Sequence, residues 1–211
     1  MKRFILLLFF CVCCLHSHAQ DMATLFVNMP DQQIPQLETA WRKDLVELFQ
    51  KGKESRVQNL MGGYTQMKNL TADYMLLQLT DRTTVEMKLL PLVNNTPVIC
   101  MITTVYGPAP DSRVAFYSPD WQQLDAAEFF TPASTSWFLK EKETESDGVA
   151  YYEAVTRLDM DLIHYELNPD SLLLTATYAT PQYLSKEERD RVLPYLKEEP
   201  KVYTWEKIRF K

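Results

Sequence analysis

Nucleophilic and metal chemistry in proteins runs largely on imidazoles and thiols, and this sequence carries three His and four Cys in 211 residues. Cys11, Cys13, Cys14, His16 and His18 all fall at the N-terminus, which leaves Cys100 and His164 for the body of the chain. A Ser-His-Asp or Cys-His arrangement needs an imidazole as proton shuttle, so His164 would have to serve. Cys100 sits in Val98-Ile99-Cys100-Met101-Ile102, an apolar strand-like run. A buried, inert thiol is expected there, because a reactive one needs an accessible, electropositive setting. Zinc sites draw on several His or Cys. No G-x-S-x-G, H-E-x-x-H, Walker A or G-x-G-x-x-G pattern occurs, and none of the five Gly forms a phosphate-cradling loop. The expectation is a protein with no catalytic triad, cofactor or metal site.

The densest polar cluster is Asp159, Asp161, His164 and Glu166. On one continuous strand, alternation puts the two Asp on one face and His164 with Glu166 on the other. A bulge between 161 and 164 would be needed to unite them. The plainer reading is an edge strand whose charges discourage strand addition. Two Asp alone do not supply the six or more oxygens that Ca²⁺ takes. Carboxylate-only hydrolysis needs just two acids across a cleft, and the 28 acidic residues single out no pair.

Aromatic side chains are the other resource. Tyr106, Phe116, Tyr117 and Trp121 surround a turn-rich stretch, and Trp137 lies in the aromatic-rich segment 121–139. Aromatics are commonly buried, but exposed ones stack on sugars or anchor protein partners. Trp121, Tyr106 and Trp137 are the candidates for interaction.

Elements must position these groups. Leu37, Trp41, Leu45, Leu48 and Phe49 recur at spacings of three and four, with Arg42, Lys43, Asp44 and Glu47 between them. That predicts an amphipathic helix over about 36–51, closed by Gly52. From residue 64 the period becomes two. Val85, Met87 and Leu89 alternate with Thr84, Glu86 and Lys88, after a preceding strand through Met75–Leu79 and a turn at 80–83. Asn94-Asn95 marks the next turn, and Pro97 opens a strand running through Cys100 to Tyr106. Gly107-Pro108-Ala109-Pro110 breaks it before a strand over Val114–Tyr117. The charge run Lys140–Gly148 is a possible internal boundary. Leu158–Leu167 and Leu172–Tyr178 flank the turn composition Asn168-Pro169-Asp170-Ser171, a second hairpin. Ser185 and Glu188 form a capping box that opens a helix, shortened or kinked by Pro194, and 201–210 closes the chain as a strand. The fold class is α+β: an antiparallel sheet of hairpins in a meander, with an N-terminal amphipathic helix and a C-terminal helix packed on it.

Lys2 and Arg3, the apolar run Ile5–Leu15, and Ser17-His18-Ala19 have the pattern of a secretory leader cleaved between Ala19 and Gln20. The residues before Cys11, Cys13 and Cys14 fit a lipid-attachment signal poorly. The expected organisation is a signal peptide, 1–19, followed by a single α+β domain, 20–211. Cleavage would leave 20 basic against 28 acidic residues, a balance that argues against nucleic acid. Cys100 would then be the lone thiol of an exported chain, so stability must come from the core. No later apolar run is long enough to span a membrane. The expected location is periplasmic or secreted.

Ile99-Cys100-Met101-Ile102-Thr103-Thr104, Gly107-Pro108-Ala109, Asp111-Ser112 and Phe116-Tyr117 through Trp121 form a distinctive series. So do Met61-Gly62-Gly63, Leu70-Thr71, Asp73-Tyr74, Leu89-Leu90-Pro91-Leu92 and Arg42-Lys43-Asp44-Leu45, behind a leader ending Ala19-Gln20. Over nearly the whole of the chain that follows the leader, this resembles a Bacteroidales-restricted family of exported proteins of unknown function. The resemblance implies an envelope or secreted location and carries over no functional residue. Asp170-Ser171-Leu172 also resembles the O-glycosylation tripeptide of exported Bacteroidales proteins. The residues point to a non-catalytic module that binds an envelope protein or a glycan. The alternatives are a carboxylate-dependent hydrolase, which requires two facing acids in a cleft, and a carrier of an apolar ligand, which requires an internal apolar cavity.

Overall fold

A computed structural model describes residues 21–94, 96–141 and 148–211. The leader, its Ala19–Gln20 junction, Asn95 and most of the charge run after Lys140 lie outside the described residues.

Seven antiparallel strands in sequential order form the first sheet: β1 (Arg56–Gln58), β2 (Tyr64–Leu70), β3 (Tyr74–Thr80), β4 (Thr83–Pro91), β5 (Pro97–Tyr106), β6 (Pro110–Tyr117) and β7 (Gln123–Leu124). This is the expected meander. Each strand pairs with its chain neighbour because the connections are short turns, which only antiparallel pairing permits. The second sheet has the order β11-β10-β9-β8, built from β8 (Ile163–Leu167), β9 (Leu173–Tyr178), β10 (Lys201–Glu206) and β11 (Arg209–Phe210). The expected closing strand is thus a hairpin, turned at Lys207, whose φ is +58°.

The first sheet is covered on both faces, and its central strands are correspondingly apolar. On one face lie α1 (Met22–Val27) and α2 (Thr39–Gln50). Met22, Leu25, Phe26, Leu37 and Leu45 pack there against Met75, Leu77, Val85, Met87, Ile99 and Met101. α2 is the predicted amphipathic helix, three residues shorter at its start, and it ends before Gly52 in the left-handed conformation at φ +65°. Burying Leu45 and Val46 contributes about 1.5–3 kcal/mol each.

One residue of that helix departs from expectation. Arg42, read as part of the solvated face, is fully buried. Its Nη1 donates to the Leu37 carbonyl at 2.7 Å, and its Nη2 donates to the Met29 carbonyl and to Thr39 Oγ1. Asp31 lies 2.9 Å away as counter-ion. The guanidinium gathers carbonyls that the loop between α1 and α2 would otherwise leave unpaired.

On the opposite face, Tyr74, Leu90, Val98, Cys100, Ile102 and Phe116 meet Tyr165, Leu174, Tyr203, Trp205 and Phe210 of the second sheet. Short helices fill the margins: α3 (Ala126–Phe129), α4 (Thr135–Phe138), α5 (Gly148–Val155), α6 (Thr180–Tyr183) and α7 (Lys186–Val192). The Ser185 half of the capping box is present, with the Glu188 N–H donating to Ser185 Oγ, and that hydroxyl donates in turn to Glu188 Oε2. Beyond α7 the chain tightens into a 3₁₀ turn, Leu193–Tyr195, at Pro194.

Candidate functional site

The two sheets meet along β8, an edge strand of its sheet. The Asn168 N–H donates to the Leu173 carbonyl of β9, so alternation turns the N–H groups of Ile163, Tyr165 and Leu167 away from β9. Side chains of the first sheet satisfy all three. The Ile163 N–H donates to Asp111 Oδ1 at 3.4 Å, the Tyr165 N–H to Ser112 Oγ at 3.0 Å, and the Leu167 N–H to Glu86 Oε2 at 3.0 Å. This seam occupies the edge that the sequence reading left charged and open to solvent.

Glu86 and Lys88 of β4 are therefore interior groups, although they alternate with the apolar Val85 and Met87. Glu86 Oε2 also accepts from the Tyr74 hydroxyl at 3.2 Å. Burial pushes the Glu86 carboxyl up from 4.5 to about 7, against the opposing pull of its hydrogen bonds from Leu167 and Tyr74. Lys88 is buried and donates from Nζ to the Pro169 carbonyl at 2.9 Å, with Asp73 Oδ2 3.1 Å away. Cys100 is buried, and desolvation drives its thiol strongly upward, which keeps it protonated and inert.

Beside the seam lies a cleft of about 550 Å³. Segment 126–133 lines it together with β6 and the start of β8. Phe129 stacks on Phe116, with centroids 5.1 Å apart, and Phe130 meets Tyr165 and Tyr203 edge-on, both at 5.3 Å. These rings hold the segment down, while the small side chains of Ala126, Ala127 and Ala133 leave the space beside Val114 and Ile163 unfilled. Phe130, Ala133, Ile163 and Tyr165 form a buried floor, and Asp111, Thr131, Pro132 and Asp161 an exposed rim. The Tyr165 hydroxyl accepts from the Ala133 N–H at 2.9 Å, and burial raises its pKa. Asp161 Oδ1 accepts from the Thr135 N–H at 3.2 Å and from the Thr135 hydroxyl.

The polar cluster is divided by this arrangement. The observed strand begins at Ile163, so Asp159 and Asp161 precede it and Asp161 turns to Thr135. His164 and Glu166 share the outer face, with Nδ1 and Oε2 3.7 Å apart, and Tyr106 Oη lies 3.4 Å from His164 Nε2. Among the described residues, no group of three or more His, Cys, Asp or Glu is placed to hold a metal ion.

Of the aromatic candidates, Trp121 belongs to the core. It is buried on the helix side, its indole donates to the Leu25 carbonyl at 3.2 Å, and its backbone turns left-handed at φ +61°. Its packing against Tyr117 explains why a bulky side chain tolerates that conformation. Tyr106 stands partly exposed at the end of β5 beside His164. Trp137, half-buried on α4, has Lys197 Nζ 4.7 Å and Lys201 Nζ 5.7 Å from its ring. None of the three lines the cleft. The Ser171 hydroxyl oxygen is buried and finds no hydrogen-bond partner among the described residues. The cleft went unread because its lining comes from strands fifty residues apart and from a segment with neither helical nor strand period. Its one signal was the run of small residues around Phe129-Phe130.

Two antiparallel sheets docked edge to face beside an apolar cleft, with helices on the outer face of the larger sheet, define an α+β protein. Among described residues no helix is long and apolar enough to cross a membrane. The chain belongs to the family described as "Protein of unknown function (DUF3256)", whose profile matches residues 14–210. It is similar to a solved domain of an uncharacterized protein from Porphyromonas gingivalis W83, one of the Bacteroidales. That likeness has 26% identity and a TM-score of 0.81, over 92% of this chain and 99% of the other. No curated protein matches.

Proposed function

We propose that this is an exported, non-catalytic binding protein of the bacterial envelope whose cleft takes a small apolar ligand. The cleft carries the reading. Its volume falls within the range of about 300–1,000 Å³ used for small-molecule sites, and few polar groups sit among an apolar floor. The leader pattern over 1–19 and the cleavage signal at Ala19–Gln20 support export.

The carboxylate-hydrolase alternative has one observation in its favour, since Asp111 and Asp161 both line the cleft. Their roles weigh against it. Each commits Oδ1 to a backbone N–H. The carboxyl that burial raises toward neutrality, as a general acid requires, is Glu86, which does not line the cleft.

Two measurements test the proposal. N-terminal sequencing of the protein recovered from fractionated cells should begin at Gln20, outside the cytoplasm. Octanol should shift NMR resonances of Ala126, Ala133 and Ile163, and Ala126→Phe, which narrows the cleft, should weaken the shifts of Ala133 and Ile163. A chain that keeps Met1, or resonances indifferent to octanol, would overturn the corresponding half of the reading.

A further inference from the structure

Resting on the cleft reading above, we infer that the ligand carries a cationic, amine-type head group on its apolar body. Asp111 and Asp161 are the charged residues of the lining, which contains no Lys, Arg or His. Among the described residues neither carboxylate forms an ion pair with a protein cation, whereas Asp31, Asp73 and Asp190 all do. Each is fixed through Oδ1, by the Ile163 N–H in one case and by Thr135 in the other. The negative charge is thus held in place at the rim without being neutralised.

The two carboxylates come from different layers. Asp111 stands at the start of β6 and Asp161 just before β8, so they rim one opening above the buried floor of Phe130, Ile163 and Tyr165. An ammonium at that opening would meet carboxylate oxygens while its alkyl chain descended onto the rings. A carboxylate or phosphate head would meet like charge, and the chain's net charge of −6 adds to that discrimination. Exposed ion pairs are individually weak, so the two together select by a factor of about five rather than a thousand.

The test compares three probes of equal chain length, octylammonium, octanol and octanoate, titrated by NMR or calorimetry into the full protein as purified from cells. Octylammonium should bind about fivefold more tightly than octanol, with octanoate weakest, and the preference should fade as salt rises. In the Asp111→Asn, Asp161→Asn double variant the amide carbonyls still accept from Ile163 and Thr135. Octanol affinity should therefore hold while the ammonium preference falls to within about twofold. Octanol binding with no advantage for octylammonium, or an advantage that survives the double variant, would overturn the cationic head group and leave the cleft standing. No binding of any probe would overturn the cleft reading and this inference with it.

Discussion

Glu86 makes the stability of this protein depend on pH in a direction opposite to that of most carboxylates. Its carboxyl titrates at 4.5 when free and at about 7 in the fold, because burial between the sheets disfavours the anion. Between those values the native state holds a proton that the unfolded chain has released. Stability therefore falls as pH rises through that interval and levels off above about 7. At 1.36 kcal/mol per pH unit the interval amounts to about 3 kcal/mol, a large part of a typical folding free energy. Oε2 takes both donors, Leu167 N–H and Tyr74 Oη–H, and so acts as the carbonyl oxygen of a neutral acid. Glu86→Gln preserves that acceptor and removes the titration. Urea unfolding of both proteins, followed by tryptophan fluorescence from pH 4 to 9, isolates the effect, because groups titrating alike in both cancel in the difference. The variant should gain about 3 kcal/mol on the wild type between pH 4.5 and 8. A difference constant across that range would refute the buried neutral acid. A gain in the wild type's favour would show that the anion is the stabilised form.

Other substitutions probe the remaining buried polar groups. Asp73→Ala leaves the Lys88 ammonium buried with the Pro169 carbonyl and the Tyr74 ring but no counter-ion, and should cost about 2 kcal/mol, discounted because Asp73 is half exposed. Lys88→Met removes the ion altogether and should cost less, so the reverse order in denaturant midpoints would contradict the assignment. Arg42→Lys should destabilise by about 3 kcal/mol in thermal unfolding, since an ammonium cannot span Leu37, Met29 and Thr39 as the guanidinium fork does. Trp121→Phe forfeits the bond to the Leu25 carbonyl and should cost about 1 kcal/mol. A thiol reagent should modify Cys100 only at the rate of unfolding, and rapid labelling of the native protein would place the thiol elsewhere.

The meander was legible in the sequence because each of its pairings is local. Turn residues at 80–83 and 168–171 and the period-two runs around them specify β3 with β4 and β8 with β9 without reference to distant parts of the chain. The capping box at Ser185 and the glycine after α2 are local signals too. What stayed hidden is what the second layer does to the first. Thr84, Glu86 and Lys88 alternate with apolar neighbours as a half-solvated strand would. Only the arrival of β8, eighty residues later, converts that face into an interior. Trp121 was misplaced among the interaction candidates for the same reason, since its partner Leu25 lies 96 residues away.

The seam also bears on the order in which the protein assembles. The first sheet grows by adding each strand to its immediate predecessor, so its loop closures are short and entropically cheap. The seam instead joins residues separated by 52, 53 and 81 positions. Long-range closures of this kind slow folding, and their acceptors are in register only once β4, β5 and β6 have paired. The second sheet is thus expected to dock late, onto a template already formed. Ser112→Ala, which removes the acceptor of the Tyr165 N–H, should accelerate unfolding while leaving the refolding rate nearly unchanged.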